Sequence, residues 1–81
     1  MKLNILFLIN KRKLNSKGLC AIMCRLTYKK VRKTLSTGLF INPIFWNSKQ
    51  QLVKPPEPDA ELLNTQLSLI STKLNQVFFS L

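Results

Sequence analysis

Histidine is absent from these 81 residues, and only three side chains are acidic. The first absence removes the commonest general base, most metal sites, and every nucleophile worked by a Ser-His or Cys-His pair. An independent enzyme is therefore not expected, and neither is a metal or a cofactor. The second absence is positional as well as numerical. Glu57, Asp59 and Glu61 lie within five residues of one another, while every basic residue except Lys73 falls between Met1 and Pro56. That stretch carries +12 with no internal counter-charge, against +10 for the whole chain. Such a module repels itself and attracts polyanions. Charge alone does not separate nucleic acid from an anionic membrane, so pattern has to decide.

Long hydrophobic runs are also lacking. Leu3 to Ile9 is interrupted by Asn4 and falls well short of the roughly 20 residues a bilayer span needs. A signal peptide would need a longer apolar region and a small-residue cleavage site, whereas Asn10-Lys11-Arg12-Lys13 follows directly. Cysteine is scarce. Cys20 and Cys24 sit four apart in a segment read as a strand, where their α-carbons would stand about 13 Å apart, beyond disulfide reach. Two buried, reduced thiols in a cytoplasmic protein are expected.

What is present is globular in character, with 46% hydrophobic and 20% charged residues. A chain this size buries only about 60–65% of its unfolded surface, enough for one modest core. Residues 2–10 (KLNILFLIN) read as a strand, 11–18 (KRKLNSKG) as a basic hairpin loop, and 19–28 (LCAIMCRLTY) as a second strand. The even positions of the second strand, Cys20 to Tyr28, form an apolar face. Lys29-Lys30 makes a tight turn into a third strand over 31–37, closed by Gly38. With a two-residue loop, Tyr28 opposes Val31, Thr27 opposes Arg32, and Arg25 opposes Thr34. Lys33 then falls on the apolar face, which a longer loop or a bulge would change.

Beyond Gly38, Pro43 ends the ladder, and Phe40, Phe45 and Trp46 are expected to fold back onto one end of the core. Residues 48–58 hold three prolines and read as a connector. From Ala60 onward Leu63, Leu67, Ile70, Leu74, Val77 and Leu81 recur at helical spacing, with Asp59 as N-cap and Glu57 and Glu61 at the positive end of the dipole. The chain ends on Phe79-Ser80-Leu81 without a capping signal, as in a piece of a longer protein. The expected fold class is α+β, a three-stranded antiparallel sheet packed against one C-terminal helix. Residues 1–53 form the sheet and return loop, 54–58 the connector, and 59–81 the helix, together one domain.

The helix stripe covers one sheet face. The other would carry Arg25, Thr27, Arg32, Thr34 and Ser36, bordered by Lys11, Arg12, Lys13, Lys17, Lys29, Lys30 and Lys33. Arginine forks match guanine edges and phosphates, the hydroxyls reach bases or phosphate oxygens, and loop lysines grip the backbone. A narrow sheet fits the major groove. Lys49, Lys54 and Lys73 read as solvated surface, Tyr28 as packing, and Phe40, Phe45 and Trp46 as core rather than base-stacking groups. Leu6 and Leu8 fall opposite Ile5, Phe7 and Ile9, which leaves them for another domain or protomer.

Residues 21–27 (AIMCRLT), the basic hairpin, 35–47 (LSTGLFINPIFWN) and 62–67 (LLNTQL) resemble the N-terminal arm-type DNA-binding domain of phage and conjugative-transposon tyrosine recombinases (integrases), in its Bacteroides-like form. The resemblance runs from Leu3 to Phe79. It implies a sheet inserted into the major groove at arm sites, with Arg25 and the Lys29–Lys33 hairpin facing DNA, and catalysis left to a separate domain. The two cysteines and the apolar first strand depart from the pattern. The expected partner is double-stranded DNA, with no small-molecule substrate and no membrane. The competing reading is an assembly module, with Leu6, Leu8 and the helix end against other recombinase domains or protomers. RNA or an anionic membrane is supported by charge alone.

Overall fold

The computed structural model describes residues 3–55 and 57–80, with the side chains of 79 and 80 left out. Lys2, Pro56 and Leu81 therefore lie outside the described residues. Strands β1 (Asn4–Ile9), β2 (Cys20–Tyr28) and β3 (Val31–Ile41) form one antiparallel sheet in the order β1-β2-β3. A 3₁₀ turn over Pro43–Phe45 leads to a two-residue ribbon, β4 (Trp46–Asn47) with β5 (Leu52–Val53), and helix α1 spans Ala60–Ser80. The fold is α+β, as the alternation and the helical stripe predict.

Period-two alternation sorts the strands into two faces. Ile5, Phe7 and Ile9 of β1 stand opposite Leu26, Cys24 and Ile22 of β2. With Ile41, Trp46 and Val53 they meet α1 through Ala60, Leu63, Leu67, Ile70 and Leu74. Ile22, Cys20, Cys24, Ile41 and Leu67 are essentially sealed from solvent. Both cysteines are free and buried, as expected. Burial pushes the Cys24 thiol above its ordinary pKa because the thiolate would lose its water.

Three expectations need correction. Strand β3 does not stop at Gly38 but continues to Ile41 through a bulge, in which Thr37, Gly38 and Leu39 oppose Ile22 alone. Gly38 supplies the left-handed backbone there (φ 78°), and Thr37 Oγ1 donates to the Ile22 carbonyl (2.7 Å) while accepting from Leu39 N–H (3.1 Å). Two extra residues preserve parity, so Ile41 enters the core while Phe40 turns to the other face and stays 48% exposed. Phe40 is thus not part of the core. Third, the helical stripe drifts. Val77 is exposed, and Phe78 takes its place edge-on against Tyr28, with ring centroids 4.8 Å apart.

Within residues 48–58, Leu52 and Val53 pair with β4, so the connector to the helix begins at Lys54. Asn64 of α1 holds this ribbon with both ends of its amide. It accepts from Val53 N–H (2.7 Å) and donates to the Val53 carbonyl (3.0 Å). Gln51 occupies left-handed backbone (φ 60°), and its Oε1 accepts from Phe7 N–H (2.5 Å), occupying a donor on the open edge of β1.

Truncating Asn64 strands two partly buried backbone groups. Asn64→Ala should lower the unfolding free energy by about 2 kcal/mol in urea titrations. Asn75→Ala, which loses only a bond to the Ser71 carbonyl within the helix, should cost less than about 0.5 kcal/mol. The Cys24 shift has a definite sign as well. Its raised folded-state pKa means full stability below the ordinary thiol range and loss as pH climbs through and above about 8.5. Cys24→Ser should flatten that alkaline decline in thermal melts.

Candidate nucleic-acid interface

The face turned away from α1 is built in cross-strand rows. At the β2–β3 turn end stands Asn4–Thr27–Arg32, then Leu6–Arg25–Thr34, then Leu8–Met23–Ser36, and past the bulge Ala21 beside Phe40. The observed register is the two-residue-loop one, with Tyr28 opposite Val31. Arg25 and Arg32 are diagonal neighbours across β2 and β3, roughly 7–8 Å apart at the backbone. Arg25 is half-buried, while Arg32, Thr34 and Ser36 are exposed. No acid lies in either strand. The three carboxylates sit at the entry to α1, where Glu57 Oε2 accepts from Asp59 N–H (2.5 Å) and the Asp59 carbonyl accepts from Leu63 N–H (2.8 Å). Like charges in adjoining rows repel, and no acid among the described residues of the face offsets this; an arriving anion would.

The basic loops lie at opposite ends of the sheet. Lys29 and Lys30 form the β2–β3 turn, both with positive φ (48° and 69°), as a type I′ turn demands. Side chains other than Gly, Asn and Asp occupy that region at a cost of roughly 1 kcal/mol each. Two lysines held there raise the charge of the turn at the expense of stability. Lys29 Nζ lies 5.4 Å from the Tyr28 ring centroid, which leans it toward the helix side. Lys11, Arg12, Lys13 and Lys17 are all exposed in the β1–β2 loop. Asn10 shapes the loop by accepting from Arg12 N–H (3.0 Å), and Asn15 by accepting from Lys17 and Leu19 N–H (2.8 and 3.0 Å).

Not every expected residue joins the face. Lys33 pairs with Leu26 on the helix side, where the turn half of the outer strand β3 stays exposed; Val31 and Leu35 stand out there too. Ser36 is on the bare face, but its Oγ already accepts from Gly38 N–H (3.3 Å). Two contributions escaped the sequence reading. Asn4 brings an amide to the outermost row, and its exposed position in β1 alternation was the available signal. Phe40 brings a ring to the far row, and its shared parity with Arg32, Thr34 and Ser36 was the available signal; the bulge shifts it along the strand to Ala21.

A family model described as Arm DNA-binding domain matches residues 7–81. The chain belongs to that family. No curated protein and no solved structure matches. As an arm DNA-binding domain of the integrase type, this is a non-catalytic module whose partner is double-stranded DNA.

The turn of this arm domain makes a two-sided prediction. The K29N/K30G double variant should be more stable by about 1 kcal/mol in thermal or urea unfolding, because both residues suit a type I′ turn. It should also bind DNA more weakly, and lower the magnitude of the log-affinity against log-salt slope by about 2 if both lysines meet phosphates.

Proposed function

We propose that the bare face reads base edges in the major groove of arm sites, anchoring a tyrosine recombinase of a mobile element, in a bacterial cytoplasm, while a separate domain performs strand exchange. The observation that carries this reading is the acid-free block of Asn4, Thr27, Arg32, Arg25 and Thr34 on a sheet face that the helix leaves open. Three strands spaced about 4.8 Å apart are some 10 Å across, against a major groove about 12 Å wide. Arg25 and Arg32 present forks to guanine O6 and N7, and Asn4 can pair with adenine N6 and N7. Lys11, Arg12, Lys13 and Lys17 at one end, and Lys29 and Lys30 at the other, straddle the groove on phosphates. Contact with about six phosphates corresponds to a log-log salt slope near −5.

Fluorescence anisotropy with duplex DNA at fixed salt tests the assignment. The R25A/R32A variant should lose most sequence discrimination, with each arginine worth about 1–3 kcal/mol, whereas Lys73→Ala should bind like the parent. Undiminished affinity and specificity in R25A/R32A would discard the assignment.

A further inference from the structure

The bare face is not basic throughout. Toward the β1–β2 loop its rows become apolar: Leu8 beside Met23, then Ala21 beside Phe40. A shallow depression there is lined by Leu8, Asn10, Lys13, Ala21 and Met23, and Phe40 rises next to Ala21 with 48% of its surface open. None of these side chains helps the core, which lies on the other side of the sheet. The bulge at Gly38 puts Phe40 here, and a strand without those two extra residues would not pair it with Ala21.

We infer that this patch is a thymine reader, which packs against the 5-methyl groups that thymine displays in the major groove. The inference rests on the groove-insertion reading and deepens it. Methyl groups are the one apolar feature of the groove floor, and short apolar side chains or Phe recognise them. The patch continues directly from the arginine rows, and Lys13 stands on its rim in a loop that also carries Lys11 and Arg12. A purely apolar protein partner would leave that cationic rim unanswered. A duplex meets both needs at once, with phosphates at the rim and methyls on the floor. Arg25 and Ala21 are four residues apart along β2, about 13 Å, which corresponds to roughly three to five base pairs when the strand follows the groove. The face therefore has a direction: guanine contacts at the arginine rows, thymine contacts a few pairs away toward the β1–β2 loop.

The experiment selects bound sites from a randomised duplex pool with the full chain, then replaces each selected thymine by deoxyuridine, which removes only the methyl group. Thymine should be enriched three to five pairs from the position that loses preference in R25A. Deoxyuridine there should weaken binding about threefold to fivefold, the burial of one methyl group. In M23S/F40S, which removes the apolar groups of half-buried Met23 and exposed Phe40 without touching the core, that penalty should vanish while the arginine-dependent preference stays. Sequence-specific binding indifferent to the methyl group would overturn the inference but leave the groove reading intact. A methyl penalty that persists in M23S/F40S would overturn it equally. So would M23S/F40S that binds DNA like the parent but abolishes self-association in sedimentation, since the patch would then be a protein interface. Failure to bind any duplex would sink both readings.

Discussion

The parity of strand pairing is the constraint from which the rest follows. Tyr28 opposite Val31 places Arg32, Thr34 and Ser36 on the same side as Arg25 and Thr27. A slip of one residue would carry all of β3 to the opposite face, drive Arg32 toward α1 and separate the two guanidiniums. The two-residue turn at Lys29-Lys30 sets this register, and the two-residue bulge at Thr37–Leu39 preserves it to Ile41. One helix then suffices, because only one face of the sheet is apolar enough to need cover along its whole length.

Charge and packing are segregated by the same alternation. Among the described residues no buried polar or charged side chain occurs, so the core makes no electrostatic demand. The basic groups are free to accumulate where the helix is not. The acids are confined to the start of α1 and the residues just before it, where the dipole favours them. The module thus keeps a strong field on one surface without a counter-ion of its own, at the cost of self-repulsion and of left-handed lysines in the turn.

Much of this was legible in the residues. Alternation in 19–28, the acid-free N-terminal stretch and the spacing from Leu63 to Leu74 yield the sheet, the helix and the arginine face. The family resemblance in 21–27, 35–47 and 62–67 agrees with the match over residues 7–81. What was not legible depends on tertiary accommodation. Two-residue strands such as Leu52–Val53 carry no period, and their existence rests on Asn64, eleven residues further on. The bulge depends on Thr37 reaching the Ile22 carbonyl, a contact across strands. The choice of Phe78 over Val77 is made by Tyr28, at the far end of β2. Lys33 shows the converse: its place on the helix side is correctly implied by the register, and an outer strand makes it tolerable.

Amide chemical-shift mapping by NMR, during titration with a mixed-sequence duplex at low salt, locates the surface that meets DNA. The largest changes should fall on Thr27, Arg25, Arg32 and Thr34 and on the two basic loops, with Leu67, Ile70 and Leu74 nearly still. Changes concentrated along the helix, with the arginine rows unmoved, would contradict this placement.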